Sequence, residues 1–205
     1  MGSEMCIRDS AMTTTHLLYL HGFRSSPQSN KARRLAEHVA TRHPHVRWWG
    51  PQLPPSPREA AALIADGIGS WPRETMAVIG SSLGGYYASW VAQLARCRSV
   101  MINPAVNPAR DLEKYIGEQT SWHNPEERFF FRREYIEELR ALDTRHMTPA
   151  APEMLLAAEG DEVLDWREMS ARYPHALQII QEGGDHALSN FEEYLPQLDE
   201  FLNLA

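Results

Sequence analysis

Apolar positions along the chain gather into short runs that alternate with stretches of helical spacing. His16 to Leu20 (HLLYL) is an apolar run closed by Gly22. Asn30 to Thr41 follows, with Leu35, Ala36, Val39 and Ala40 at helical spacing and charged residues on the other face. His45 to Gly50 predicts a second strand, stopped by Pro51, Pro54, Pro55 and Pro57. Arg58 to Trp71 predicts a helix, Thr75 to Gly80 a strand, and Leu83 to Cys97 a helix. A strand from Ser99 to Asn103 precedes a long charged stretch, Asp111 to Met147. The alternation then resumes with a strand Glu153 to Glu159, a helix Asp165 to Tyr173 and a strand Ala176 to Gln181. An amphipathic helix, Phe191 to Leu202, comes last. About six strands alternating with helices predict βαβ units and a mostly parallel sheet covered on both faces.

Composition narrows the class. The 205 residues, 43% hydrophobic and 23% charged, suit one globular domain. A net charge of −7 argues against nucleic acid as partner, because such binding relies on Lys and Arg neutralising phosphates. No apolar run approaches the ~18 residues of a membrane span. Cys6 and Cys97 make neither a disulfide framework nor a zinc pattern. Nine histidines, among them His38, His43, His45, His123, His146 and His175, show no helical H-x-x-x-H spacing; they read as surface residues, and no metal is expected. Residues 1–11 (MGSEMCIRDSA) lack periodicity and a signal-type apolar core, and stand just before a second methionine, Met12. They read as a non-native leader or scar, disordered and outside a single domain at 12–205. Cys97 is then the domain's only cysteine, which suits a reducing cytoplasmic compartment.

In open parallel sheets, ligands bind beyond the carboxyl ends of the strands, so the residues that follow each strand matter most. After the Thr75 strand comes Gly80-Ser81-Ser82-Leu83-Gly84, a G-x-S-x-G with a predicted strand before it and a helix after it. That turn lifts a serine hydroxyl above the sheet, and its glycines remove side chains that would clash. Ser82 is therefore the candidate nucleophile. Ser81 does not fit, since Ile79 and Leu83 would occupy its glycine positions.

A serine hydroxyl needs a base, and the base needs an orienting acid. Gly183-Gly184-Asp185-His186 follows the last strand and Gly160-Asp161-Glu162 the one before it. The order Ser82, Asp161, His186 is that of the α/β-hydrolases. His186 is the candidate base and Asp161 its acid, with Glu162, Asp165 and Asp185 as close competitors. The first strand ends in His21-Gly22-Phe23, so the backbone N–H groups of Phe23 and Leu83 are the expected oxyanion donors. His21 reads as a structural histidine bonding loop carbonyls. The stretch at about 111–147 reads as a short helical lid. Its aromatic residues read first as packing; as an alternative, Trp122, Phe130 and Tyr135 would wall a site for an acyl chain.

The segments LLYLHGFRSSPQSNKA, IGSSLGGYYASW, INPAVNP, GDEVLDWR and EGGDHALSNFEEYLPQLDEFL resemble the YqiA-like esterases, a small bacterial branch of the α/β-hydrolases. The resemblance runs from about Leu17 to Leu204. It implies a compact hydrolase without extra N-terminal antiparallel strands, a cytosolic location, no cofactor and carboxylic-ester hydrolysis. It supports Ser82, Asp161 and His186 as the triad, and implies a small-molecule acyl ester of short to medium chain, acyl-CoA thioesters included. The lid matches only loosely, so acyl preference transfers least. The expectation is a serine esterase. Acyl-CoA thioesterase action is the nearest alternative, and a non-catalytic ligand-binding version of the fold the more distant one. Oligomeric state is not legible.

Histidine side chains ordinarily titrate near 6.5 and act as bases only when neutral, so activity is expected to fall with acid below about pH 6.5. A profile of the chemical step that stays flat from about pH 5 to 8 would count against a histidine base.

Overall fold

A computed structural model describes residues 12–122 and 124–204. The leader expected at 1–11, with Cys6, and His123 lie outside the described residues. In chain order the elements are β1 (His16–Leu20), α1 (Asn30–Arg42), β2 (Arg47–Trp49), α2 (Pro57–Ile68) and β3 (Met76–Ser81). Next come α3 (Leu83–Ala95), β4 (Arg98–Ile102), α4 (Pro108–Asp111), β5 (Gly117–Thr120), β6 (Arg128–Phe131) and α5 (Glu134–Ala141). The chain closes with β7 (Glu153–Ala158), α6 (Trp166–Arg172), β8 (Leu177–Gln181) and α7 (Leu195–Leu202).

Six strands form one sheet in the order β2-β1-β3-β4-β7-β8, and every pairing is parallel. Period-two alternation divides the central strands between two buried faces. Leu18, Leu20 and Val78 face α2 and α3, whereas Leu17, Tyr19, Ala77 and Ile79 face α1 and α7. Both faces are covered, which is why β1, β3, β4 and β7 read as nearly continuous apolar runs, whereas the edge strands β2 and β8 are only partly buried.

The helix boundaries follow local chemistry. Ser29 caps α1 by accepting from the Ala32 N–H, and Ser56 caps α2 from the Glu59 N–H with Pro57 in the first turn. Helix α3 stops at Ala95, two residues short of the expected end, because Arg96 turns left-handed with φ 56°. The last helix is also shorter than expected. Phe191–Tyr194 is a 3₁₀ turn, and α7 proper starts at Leu195 with Pro196 in its first turn.

The insertion between β4 and β7 corrects the expectation of a helical lid. Only α4, α5 and a 3₁₀ turn are helical; β5 and β6 form an antiparallel hairpin. Phe129, Phe130 and Phe131 alternate between its faces, so Phe131 is buried while Phe130 is 59% exposed. A helix would have spread these three rings around its circumference. Phe131, Ile136 and Leu139 join the core cluster of α2 and α3. Glu138 of α5 accepts from the Ser56 hydroxyl at 2.6 Å, which fixes the insertion to the start of α2. No helix among the described residues is long and apolar enough to cross a membrane.

A Cβ on Gly84, in the first turn of α3, would meet the carbonyl carbon and oxygen of Leu20 and the carbonyl oxygen of His21 well inside contact distance. These are backbone atoms and cannot rotate away. Gly84→Ala is therefore expected to cost about 2 kcal/mol or more, read as a lower urea midpoint at unchanged slope.

Candidate active site

Ser82 lies between β3 and α3 with φ 57° and ψ −121°, a conformation that strains any residue bearing a Cβ. Backbone bonds from neighbouring strands hold it there. Its N–H donates to the Ile102 carbonyl at 2.9 Å, and its carbonyl accepts from Gly85 and Ala105 at 2.9 and 3.0 Å. A Cβ on Gly80 would collide with the Gly84 carbonyl, so both outer glycines of G-x-S-x-G are required by space.

Three sequence-predicted residues meet above the carboxyl edge of the sheet. His186 Nε2 is 3.0 Å from Ser82 Oγ, and His186 Nδ1 is 2.7 Å from Asp161 Oδ2. The Asp161 side chain has no solvent exposure, and its other oxygen accepts from the Val163 and Leu164 N–H groups, each at 2.8 Å. An acceptor-only carboxylate on Nδ1 requires Nδ1–H there and leaves the Nε2 lone pair for the serine proton. The two loops approach through glycines. Gly160 N–H donates to Gly183 O at 2.7 Å, a Cβ on Gly160 would collide with the Gly184 carbonyl, and Gly183 and Gly184 have φ 69° and 78°.

Each competing carboxylate is engaged elsewhere. Glu162 accepts from the His186 backbone N–H at 3.0 Å, so it braces the histidine loop rather than the ring. Asp165 caps α6 by accepting from Arg167 N–H. Asp185 accepts from the Ser189 N–H and hydroxyl at 2.9 and 2.6 Å, which holds its carboxyl below the ordinary range.

Phe23 and Leu83 both lie next to the serine, one in the loop after β1 and the other at the start of α3. A Cβ on Gly22 would touch the Ser82 Cβ at 3.0 Å and its Oγ at 3.4 Å, so the loop after β1 lies directly against the hydroxyl. Leu83 opens α3, where the first N–H groups have no helical acceptor. Among the described residues, neither the Phe23 nor the Leu83 N–H has a protein acceptor. His21 is buried and fixes this loop. Its Nε2 accepts from the Leu53 N–H at 3.0 Å, so Nδ1 carries the proton and donates to Gly22 O at 2.9 Å.

Two clefts meet at Gly22 and Phe23. One, of about 420 Å³, contains Ser82, His186, Lys31, Arg34 and Trp122. The other, of about 490 Å³, is walled by Leu53, Leu63, Leu83, Tyr87 and Phe129. Of the three insertion residues singled out, only Trp122 lines a cleft at the serine. It is 66% exposed, stacked under the Arg24 guanidinium at 4.1 Å. Phe130 faces solvent, away from both clefts, and Tyr135, half-buried, packs against Phe131 at the edge of the core. Hairpin alternation instead presents Phe129, the neighbouring ring, to the apolar cleft.

Two residues escaped the sequence reading. Asn103, at the end of β4, is fully buried with φ 40°. Its amide donates to the Asp185 and His186 carbonyls at 3.1 and 3.0 Å and accepts from Ala158 N–H at 2.9 Å. Lys31, in the first turn of α1, donates to Ser81 Oγ at 2.9 Å inside the serine cleft. Position after a strand was a signal for Asn103; nothing local distinguished Lys31. Outside the clefts, His38 and His43 correct the surface reading. Both are largely shielded and face Asp199, with Nε2 at 2.9 and 3.2 Å from its oxygens. These three offer ligand atoms within 4.8 Å of one another, the one such group among the described residues able to hold a metal ion.

The model of an uncharacterised protein family, UPF0227, matches residues 16–203. Among solved structures, a hydrolase from Agrobacterium vitis superposes with a TM-score of 0.74 at 17% identity, over 93% of this chain and 91% of that one. A structure of the metagenome-derived lipolytic enzymes LipS and LipT gives 0.72 at 18%, over 95% and 96%. Est1E from Butyrivibrio proteoclasticus, with ferulic acid bound, gives 0.69 at 12%, over 96% and 89%. At such identities the likeness establishes the α/β-hydrolase fold.

Asn103→Ala leaves the His186 carbonyl and the Ala158 N–H without this partner and the Asp185 carbonyl with only the Leu188 N–H, so it is expected to cost about 1–3 kcal/mol of stability, measured by denaturant unfolding. An unchanged midpoint would show that the amide does not hold the histidine loop.

Proposed function

The chain belongs to the UPF0227 family, the YqiA family, and from the site it carries we propose a serine esterase that hydrolyses carboxylic esters of short to medium acyl chain. The observation that carries this reading is the unbroken hydrogen-bonded line from Asp161 through His186 to a strained Ser82 at the mouth of a cleft.

His186 Nε2 takes the Ser82 proton as the Oγ–carbon bond forms, and the developing oxyanion accepts from the Phe23 and Leu83 N–H groups. Loss of one such donor typically lowers turnover about 10²–10³-fold. Collapse of the tetrahedral intermediate breaks the bond to the alcohol oxygen, which leaves with the proton from His186. Water then attacks the acyl-enzyme and gives His186 a proton; the carbon–Oγ bond breaks, Ser82 regains its proton and the carboxylic acid departs. Asp161 keeps the ring in its Nδ1–H tautomer and stabilises the imidazolium. The apolar cleft beyond Phe23 suits an acyl chain. Acyl-CoA thioesters would use the same steps with a thiol leaving group, and one acyl chain offered on oxygen and on sulfur separates the two readings. A cytoplasmic setting fits the free, buried Cys97, whose thiol burial pushes up to about 12.

A fluorophosphonate probe is expected to add once per chain to the wild type and not to Ser82→Ala, read by mass spectrometry. Folded wild type left unlabelled would favour the ligand-binding alternative. Asp161→Asn is expected to lower kcat by about 10⁴-fold with the fold intact. Asp165→Asn, by contrast, is expected to leave most activity; an Asp165 effect of the larger size would reassign the acid.

A further inference from the structure

Lys31 is the one lysine in the serine cleft, and its surroundings leave its charge unanswered. An ammonium has three N–H donors. One reaches Ser81 Oγ at 2.9 Å, on the residue that precedes Ser82. Among the described residues no carboxylate lies within the 4.0 Å of an ion pair; Asp185 and Asp161 act on it only from farther away. Asp161 itself is committed to His186, and Asp185 to Ser189. The other cation of the cleft, Arg34, is already paired with Glu192. Phe191 presents its ring to the ammonium at 6.0 Å, a weak substitute for a counter-ion. Burial pushes Lys31 down to about 8, which leaves most of it protonated at neutral pH.

A shielded cation without a partner is costly, because lost hydration is not returned by an opposite charge. Here the remaining donors belong to a residue lining the same cleft as Ser82 and His186. We propose that Lys31 binds an anionic oxygen group carried by the substrate itself, so that the preferred esters bear a carboxylate a few atoms from the scissile bond. This rests on the esterase reading above. It adds a substrate class to it: half-esters of dicarboxylic acids, or acyl esters of hydroxy acids. The carboxylate would complete the ion pair that the folded chain leaves open, and would seat the ester carbonyl against Phe23 and Leu83.

The experiment compares two charged esters with neutral counterparts of similar length. Monoethyl succinate is set against ethyl pentanoate, and butyryloxyacetate against propyl butyrate, with wild type and Lys31→Met, each checked for folding by thermal melt. The wild type is expected to favour at least one charged ester by about tenfold or more in kcat/KM, the scale of one charge-assisted hydrogen bond. In Lys31→Met the charged-to-neutral ratio is expected to fall to near one. The favoured pair tells whether the carboxylate lies on the acyl or the alcohol side. No preference in wild type, or a preference that survives Lys31→Met, would overturn the proposal. If no ester is turned over, the esterase reading fails, and Lys31 is judged by calorimetry with succinate. Binding at millimolar concentration that Lys31→Met weakens about tenfold or more supports the anion site. No binding to wild type overturns it.

Discussion

A serine does not hold φ 57° and ψ −121° unaided, and most of the functional edge of this molecule is arranged around keeping Ser82 there. The clamp is made of backbone. Ile102, at the end of β4, accepts its N–H, while Gly85 and Ala105 donate to its carbonyl. Helix α3 begins so close to β1 that Gly84 has no room for a methyl group. The strand order β1-β3-β4 puts the serine strand between the two strands that supply these contacts. The strain is therefore met by hydrogen bonds and packing in the most buried part of the sheet.

The other two members of the line reach the serine from β7 and β8, and their placement is also a backbone matter. Gly160 and Gly184 let two loops touch without side chains between them. Asn103 then couples the histidine loop to the strands, because one buried amide serves the carbonyls of Asp185 and His186 and the N–H of Ala158. Glu162 adds a bond to the His186 N–H. Rigid neighbours of this kind keep an imidazole within proton-transfer distance without the ring itself being packed on all sides.

Much of this was legible in order and spacing. Short apolar runs marked the six sheet strands; β1, β3, β4 and β7 are buried on both faces and so apolar along most of their length, while the edge strands β2 and β8 are only partly buried. Ser82, Asp161 and His186 could be named because each follows a strand, and parallel strands bring their carboxyl ends to one edge. The insertion was less legible. Phe129, Phe130 and Phe131 are too short an apolar run to separate helix from strand, and only pairing with Gly117–Thr120 decided for the hairpin. Phe130 and Tyr135 consequently lie away from the clefts, and Phe129 faces the apolar one. Lys31 was hidden for a different reason. A lysine near a helix start ordinarily signals a solvated face, and only the fold brings it beneath the serine turn. Asp199 lies far in sequence from His38 and His43, and the three converge only because α1 and α7 cover the same face of the sheet.

Arg24 has a consequence for how the two halves of the molecule have to change together. It stands next to Phe23 with φ 59°, its guanidinium grips Thr120 through carbonyl and hydroxyl, and its own carbonyl accepts the Trp122 N–H. The hairpin is thus moored to the segment that carries the Phe23 N–H. Covers of this kind are often treated as interchangeable modules, to be swapped for a new specificity. In this chain the cover and the loop after β1 form a single mechanical part, so a transplanted hairpin would have to bring its own mooring for Arg24 or displace the Phe23 N–H as it docked.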